Sequence, residues 1–180
     1  MTNHRLIEVV PANPAWPRAF EAETERITEV LGVLLIKAHH IGSTAVPGLA
    51  AKPIIDILLE VTDVVALDAK NRAMERLGYT PRGELGIAGR RFYLRGLIER
   101  THHVHAFVVD SADVMRHLAF RDYLIAHPKV AEEYASLKRW CAQMCQHDNE
   151  KYCDGKQAFV VEHEQKAIAW YHENHRDRSS

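Results

Sequence analysis

Cysteine is scarce in this sequence: 180 residues contain three, at positions 141, 145 and 153. An odd number in a chain of this length argues against a disulfide framework. Cys141 and Cys145 would share one face of a helix with His147 nearby, an arrangement that can bind zinc. No C-x-x-C pair is present, however, and cysteine commonly packs as a small apolar residue. The sequence therefore predicts buried thiols, with a structural zinc site as the alternative.

Long apolar runs and an excess of charge of either sign are also missing. No run approaches the roughly 18 residues that a membrane span needs, and the start, MTNHRLIEVV, lacks the features of a signal peptide. The formal net charge is −1, so no overall field attracts the chain to a membrane or to extended nucleic acid. Apolar residues make up 47% of the chain, enough for a hydrophobic core. We expect a cytoplasmic protein in which any site for a polyanion is a local patch.

The apolar periodicity predicts an α+β protein with a mixed β-sheet and flanking helices. A short edge strand is expected at residues 6–10, two neighbouring strands at 33–42 and 52–61, and a hairpin from 90–96 and 102–110. Helices are expected at 13–32, 63–77, 111–126, from 128 onward and at 150–171. Residues 1–110 would form an α/β core and residues 111–180 a helical part packed on it, so that the chain is one structural unit.

A glycine-serine turn follows the first long strand, in the segment IGSTAVPGLA. Gly42 allows the backbone to approach a ligand closely, and Ser43 and Thr44 add hydroxyl donors that suit a phosphate group. The spacing from Gly42 to Gly48 is not that of a Walker loop, and Ser43 lacks the G-x-S-x-G pattern of a nucleophile elbow. The alternative is a tight turn whose serine caps a helix.

Asp56 stands inside the apolar strand PIIDILLEV. A carboxylate without a partner among apolar neighbours is destabilising, so Asp56 must reach solvent, a cation or a metal. Glu60 would share its strand face, but about 13 Å away at roughly 3.3 Å per residue, which is too far to bind the same ion. The alternative is a structural ion pair of Asp56 with Lys52 or an arginine.

Two histidines separated by one residue occur in the strand HHVHAFVV. His103 and His105 would point to the same face of the sheet, as a pair of metal or phosphate ligands does. The alternative is that both rings are simply half-buried on a sheet face.

Together these motifs resemble the GrpB family of uncharacterised domains. The resemblance rests on IGSTAVPGLAAKPIIDI, then HVHAF, FRDYL, Y-x-x-L-K and a later Y-x-x-G-K, and it extends from residue 7 to residue 160. The family is also similar to the C-terminal extension of some bacterial dephospho-CoA kinases. The resemblance implies a nucleotidyltransferase-like fold, in which Gly42 and Ser43 hold the triphosphate of an NTP substrate and Asp56 is the catalytic metal-binding carboxylate.

The sequence departs from the nucleotidyltransferase pattern at the metal ligands. Ile54 and Leu58 flank Asp56 at the two positions where a D-x-D pair needs its second acid, and His105 stands where a third acid is expected. Imidazole suits Zn²⁺ or Mn²⁺ better than Mg²⁺. The resemblance therefore implies a divalent metal, Mg²⁺, Mn²⁺ or Zn²⁺, bound by Asp56, His103 and His105.

Several side chains could meet the phosphates of a nucleotide. The resemblance implies Arg121 and Lys156 at the site, Lys138 beside them and Lys52 to offset charge. Tyr152, one helical turn from Lys156, would stack on a base while the lysine meets a phosphate.

These residues are compatible with three functions. The first is metal-dependent transfer of a nucleotidyl group from an NTP to a small acceptor. The second is non-catalytic binding of a nucleotide or a coenzyme-A-like ligand, and the third is hydrolysis at a metal held by the histidines and Asp56. Transfer requires that the fold bring Glu60 or Glu84 close to Asp56.

Overall fold

The computed structural model describes residues 7–96 and 98–175, and it is an α+β protein with a mixed sheet, as the sequence predicts. In chain order its helices are α1 (Trp16–Leu31), α2 (Val64–Asp68), α3 (Asn71–Arg76), α4 (Ala112–Ala126), α5 (Pro128–Met144) and α6 (Asn149–His175). Its strands are β1 (Leu35–Ile41), β2 (Ile55–Val61), β3 (Tyr79–Pro81), β4 (Arg91–Arg95) and β5 (His102–Val108). Short 3-10 segments cover Gly32–Leu34 and Ser43–Ala45.

The five strands form one sheet in the order β1-β2-β5-β4-β3. β1 and β2 are antiparallel neighbours, and β4 and β5 form an antiparallel pair, which confirms both predicted pairings. β2 runs parallel to β5, with Asp56 opposite His103. β3 was not predicted, because a strand of three residues is too short to show a clear alternation.

Two predicted elements differ in the structure. The predicted helix at 63–77 is divided into α2 and α3, because the chain turns at Lys70 with 3-10-type hydrogen bonds. Of the predicted strand at 6–10, only Val10 pairs, in a single bridge to Ala51. Residues 7–9 lie in no strand, and residue 6 lies outside the described residues.

Both faces of the sheet are buried, which is why β2 reads as a nearly unbroken apolar run. On one face, Ile57 and Val104 belong to the core that contains α1. On the other face, Leu58 and Phe107 pack with Val114 of α4. Successive strand residues point to opposite faces, so Asp56, His103 and His105 share the α4 face, together with Glu60 further along β2.

The C-terminal helices contact the sheet partly through the loop that leads into β2. Apolar side chains of residues 46–50 pack against α4 and α5, and Lys138 of α5 donates a hydrogen bond to Ala50 O. This packing leaves α5 and α6 beside the ends of β2 and β5 that carry the polar side chains. Among the described residues, no helix combines the length and the apolar character needed to cross a bilayer.

Candidate functional site

The Gly-Ser turn lies at the end of β1, directly beside Asp56. Ile41 is paired with Asp56 across the two strands, so the following residue passes close to the carboxylate. Gly42 has a φ of 72°, and a Cβ at this position would lie 2.7 Å from Asp56 Oδ2. Glycine alone meets both conditions without strain. The turn continues as the 3-10 segment Ser43–Ala45, and Ser43 does not act as a helix cap.

Contacts from β1 and α1 fix the conformation of the turn. Thr44 is buried, and its Oγ1 lies 2.9 Å from His40 Nε2. The His40 ring stacks on Phe20 of α1 with 4.9 Å between centroids. Burial lowers the pKa of His40 to about 4, although the Asp56 carboxylate acts to raise it. The ring is therefore neutral near pH 7, and the Thr44 hydroxyl is held by a neutral partner.

Asp56 is held by two histidines at once. Its Oδ1 lies 3.4 Å from His103 Nδ1 and 3.4 Å from His105 Nε2. Its side chain remains 26% exposed, so part of the carboxylate faces the space beside the turn. Burial acts to raise the pKa of Asp56, but the hydrogen bonds from His103 and His105 outweigh it and hold the pKa well below its ordinary value. Asp56 is therefore ionised at neutral pH.

The second nitrogen of each histidine has no hydrogen-bond partner in the structure. His103 Nε2 and His105 Nδ1 are both buried, and the Phe92 ring packs against the two imidazoles at 5.5 and 4.9 Å between centroids. Burial lowers the pKa of His105 even though Asp56 acts to raise it. A neutral ring that donates to Asp56 from Nε2 leaves Nδ1 as an unpaired buried acceptor, which is destabilising. The carboxylate is thus oriented at some expense of stability.

A pocket of about 260 Å³ opens between the Gly-Ser turn, the start of β2 and helices α5 and α6. Most of the residues predicted for the site line it: Ser43, Thr44, Lys52, Asp56, His103, Tyr152 and Lys156. Gly42 and His105 do not line the pocket but contact Asp56 directly. The fold therefore brings the Gly-Ser turn, the strand carboxylate and the Y-x-x-G-K motif to one place.

Arg121, which was also predicted for the site, does not line this pocket. Its Nη1 donates to His40 O at 3.0 Å, and its Nε donates to Asp122 Oδ1 at 2.7 Å. The bond to His40 O ties α4 to β1 two residues before Gly42, and the bond to Asp122 lies within α4. The guanidinium therefore supports the backbone that leads into the turn.

Lys52 and Lys156 contact the same aromatic ring in the pocket wall. Their Nζ atoms lie 4.5 and 5.1 Å from the centre of the Tyr152 ring. Tyr152 is 1% exposed, so its ring offers little surface to a nucleotide base. The ring instead positions two ammonium groups through cation–π contacts.

The third lysine of the pocket, Lys138, is only 2% exposed. Its Nζ donates to Ala50 O at 2.5 Å and lies 4.6 Å from the centre of the Tyr134 ring. Burial, followed by the positive charges of Lys156 and two further cations, lowers the pKa of Lys138 to about 7. The pocket therefore contains a buried amine as well as two positively charged side chains near its wall.

Two pocket residues at the start of α6, Asn149 and Cys153, were not predicted. Residues three, four and seven positions apart share one face of a helix. Residues 149, 152, 153 and 156 have this spacing. Asn149 and Cys153 could therefore have been predicted from their helical spacing to Tyr152 and Lys156. Asn149 Nδ2 lies 3.7 Å from Cys153 Sγ, which makes the two neighbours in the wall.

Nucleotidyl transfer would require a second acid beside Asp56, but both candidate acids have other partners. Glu60 Oε1 lies 2.6 Å from His39 Nε2, and Glu84 Oε1 accepts a hydrogen bond from Gly89 N at 2.8 Å. Within the described part of the chain, no group of three or more His, Cys, Asp and Glu side chains is arranged to hold a metal ion. One carboxylate with two imidazoles does not fit the paired Mg²⁺ ions of nucleotidyl transfer, which need several anionic oxygen ligands.

Two of the three cysteines follow the prediction of buried thiols, whereas Cys153 is only partly buried and lines the pocket. Cys141 and Cys145 are each 2% exposed and free, and both belong to a small core cluster with Tyr152. His147 Nδ1 accepts a hydrogen bond from Ile7 N at 3.2 Å, which gives this imidazole a structural role.

A family model described as GrpB protein matches residues 6–166 of the chain. This chain belongs to the GrpB family. The UPF0157 protein YqkA of Bacillus subtilis (strain 168) is 44% identical over 166 residues, which cover 92% of this chain and 48% of YqkA. A crystal structure of conserved protein GrpB from Enterococcus faecalis is 42% identical and superposes with a TM-score of 0.88, covering 91% of this chain and 99% of that one.

Two more distant proteins are also similar to this GrpB-family chain. A dephospho-CoA kinase of Mycolicibacterium paratuberculosis is 26% identical over 189 residues, covering 91% of this chain and 46% of the kinase. Terminal uridylyl transferase 4 from Trypanosoma brucei with bound CTP has 17% identity and a TM-score of 0.46, covering 70% of this chain and 41% of that one. No function follows from similarity at that level. The chain spans about half the length of YqkA and of the kinase.

Proposed function

We propose that this GrpB-family protein binds a phosphorylated small molecule, a nucleotide or a coenzyme-A-like compound, in the pocket between the Gly-Ser turn and helices α5 and α6. The observation that carries the proposal is the charge of the pocket wall. Three lysines, Lys52, Lys138 and Lys156, face a space of about 260 Å³ that has Asp56 as its carboxylate. Cations gathered in a confined space repel one another, and an anionic ligand relieves that repulsion.

The remaining polar groups of the pocket suit a phosphate group as well. Ser43 and Thr44 bring hydroxyls to the same wall, and hydroxyl and ammonium groups are common donors to phosphate oxygens. Thr44 Oγ1 contacts His40 and the Ser43 side chain hydrogen-bonds with Tyr134, so both hydroxyls are held at this wall. The ligand class also agrees with the similarity to a dephospho-CoA kinase, although the chain covers only 46% of that kinase.

Calorimetric titration with ATP, coenzyme A and adenosine tests the proposal. The wild-type protein should bind the two phosphorylated compounds and not adenosine. Lys156→Met should weaken binding about tenfold or more, because loss of one charged hydrogen bond removes roughly 1.4 kcal/mol or more.

Lys151→Met is the matched control, since Lys151 is exposed on the same helix and lies outside the pocket. It removes the same charge from α6 and should leave the affinity unchanged. Equal weakening by both substitutions would reduce the effect to overall charge and would contradict a site in this pocket.

Metal-dependent nucleotidyl transfer is a second candidate, which the position of Asp56 beside Gly42 favours. Its divalent cofactor, Mg²⁺, Mn²⁺ or Zn²⁺, would require Asp56, His103 and His105 to rearrange around it, since within the described residues they form no metal-binding group. The engagement of Glu60 and Glu84 elsewhere argues against it. Titration of ATP in the presence of Mn²⁺ or EDTA separates the candidates. Binding that requires Mn²⁺ and is lost in Asp56→Asn supports transfer, whereas binding unchanged in EDTA supports a lysine-based phosphate site.

A further inference from the structure

Lys138 has surroundings that are unusual for a lysine side chain. It is 2% exposed, and its described partners are one backbone carbonyl, Ala50 O, and the face of the Tyr134 ring. Among the ion pairs of the described residues, none includes Lys138, although a buried ammonium group normally has a carboxylate partner. The same amine lines the pocket. It is therefore a buried primary amine that faces a ligand-sized space.

The electrostatic environment favours the uncharged form of this amine. Lys52 and Lys156 line the same pocket, and Arg139 follows Lys138 on α5. Burial, followed by the charge of Lys156 and then of Arg139 and Lys52, lowers the pKa of Lys138 to about 7. About half of the molecules then carry a neutral amine at pH 7, whereas an exposed lysine is uncharged in roughly one molecule in a few thousand. Desolvation beside another cation is a known way to make a lysine nucleophilic.

We propose that Lys138 is a nucleophilic lysine that forms an imine with a phosphorylated aldehyde or ketone. The Nζ lone pair attacks the carbonyl carbon, and the C–N bond forms as the carbonyl oxygen takes up a proton. The amine nitrogen loses both of its hydrogens, the oxygen leaves as one molecule of water, and the C=N bond remains. No oxidant or reductant is needed, and hydrolysis of the imine regenerates the amine.

The inference rests on the proposed function, because the other two lysines of the pocket supply the phosphate contacts. Lys52 and Lys156 are held on the Tyr152 ring, while Lys138 is held on the Tyr134 ring and on Ala50 O. The phosphate of the ligand would meet the first pair, and its carbonyl carbon would meet Lys138. This division of roles identifies the substrate class as small carbonyl compounds that carry a phosphate.

Reductive trapping with pyridoxal 5′-phosphate, a phosphorylated aldehyde, tests the inference. The protein is incubated with this compound at neutral pH, borohydride reduces any imine to a stable secondary amine, and peptide mass spectrometry locates the adduct. The rate of labelling at Lys138 should be at least roughly ten times the rate at exposed Lys151. Inorganic phosphate should slow the labelling of Lys138, and pyridoxal without phosphate should label it more slowly.

Lys138→Arg supplies a second test, because arginine keeps the charge and a donor for Ala50 O but forms no imine of this kind. No adduct should form at residue 138 of this variant, and the phosphate-sensitive labelling should disappear, leaving only slow labelling like that of Lys151. Labelling of Lys52 or Lys156 instead of Lys138, with protection by phosphate, would overturn the imine and leave the phosphate site in place. Labelling that follows exposure alone and is insensitive to phosphate would contradict both proposals.

Discussion

At the scale of single residues, Gly42 is subject to two independent constraints. Its φ of 72° lies in the left-handed region, and a Cβ would lie 2.7 Å from Asp56 Oδ2. Gly42→Ala should therefore lower the free energy of unfolding by at least about 2 kcal/mol, from backbone strain and from displacement of the carboxylate. Urea denaturation at pH 7 measures this change.

Gly48→Ala is the matched control, because Gly48 has a similar φ of 76° and a Cβ added there would meet no atom within 4 Å. It should show the backbone strain alone, on the order of 1 kcal/mol. If the two variants lose the same free energy of unfolding, the nearby Asp56 carboxylate does not disfavour a side chain at residue 42.

Asp56 links the stability of the protein to pH. Hydrogen bonds from His103 and His105, which outweigh burial, depress the pKa of Asp56 in the folded state. Its stabilising effect is therefore fully present above the unfolded-state pKa of about 3.9 and is lost as the pH falls toward the folded-state value. The difference in free energy of unfolding between the wild type and Asp56→Asn should narrow below about pH 4.

Denaturation of both proteins at pH 7, 5 and 3 measures that difference. Asp154→Asn, at an exposed position on α6, serves as the control and should show a small difference at every pH. A gap between the wild type and Asp56→Asn that stays constant down to pH 3 would be inconsistent with a depressed pKa.

The need of Asp56 for a partner was predictable from the sequence, and the identity of its partners was predictable only in part. A single acid in an apolar strand needs a partner, and the spacing of His103 and His105 placed both on one face. Their meeting depends on the parallel pairing of β2 and β5. That pairing joins segments about 47 residues apart, and no local pattern encodes it.

At the scale of secondary-structure elements, α5 shows where apolar periodicity misleads. Apolar residues recur along α5 in steps of four and three, which predicts a core-facing stripe that ends in Cys141 and Met144. Cys141 is buried, but Met144 is 61% exposed while Lys138 is 2% exposed. The buried face of α5 also includes Ala131 and Ala135, which pack in the cluster that contains Ala50, and Lys138 donates to Ala50 O beside them. A periodicity that counts lysine as a surface residue cannot detect a buried lysine.

Gly155, in the second turn of α6, faces Cys141 of α5. A Cβ at Gly155 would lie 2.7 Å from Cys141 Sγ. Gly155→Ala should therefore lower the free energy of unfolding by about 1 kcal/mol, although alanine favours a helix over glycine by a similar amount. In a Cys141→Ala background the same change should be stabilising.

Urea denaturation of the two single variants and the double variant gives the coupling free energy, which should reach about 1 kcal/mol or more. If Gly155→Ala stabilises the wild-type background as much as the Cys141→Ala background, the helices are not in contact at these two positions.

At the scale of the whole molecule, residues 1–110 and 111–180 are predicted to form one structural unit. Clusters of buried side chains cross the boundary, since α4 packs on the sheet and α5 packs on the loop before β2. Trp16 lies in the first part, and Trp140 and Trp170 lie in the second. In a variant that retains only Trp16, and in one that retains only Trp170, fluorescence and far-UV circular dichroism should give the same urea midpoint for that variant. Two separate midpoints would show that the parts unfold independently.

The overall architecture was predicted well where segments were long and patterned. The neighbouring strands β1 and β2, the β4–β5 pair and the three C-terminal helices were all expected from apolar periodicity and turn residues. The pocket was predicted through its motifs, but Lys138 became recognisable as a buried amine only when α5 was seen packed on the loop at Ala50. Such a position depends on tertiary packing of distant segments.

The proposed phosphorylated ligand binds among Lys52, Lys138 and Lys156. The most direct measurement is a ¹H–¹⁵N NMR titration of the wild-type protein with ATP, with assigned backbone amides. If the ligand binds in this pocket, the largest shifts should occur at residues 42–45, at Lys52 and along residues 149–156. Largest shifts in the separate groove around Val46–Leu49 and Arg139, or no shifts at millimolar ATP and coenzyme A, would contradict it.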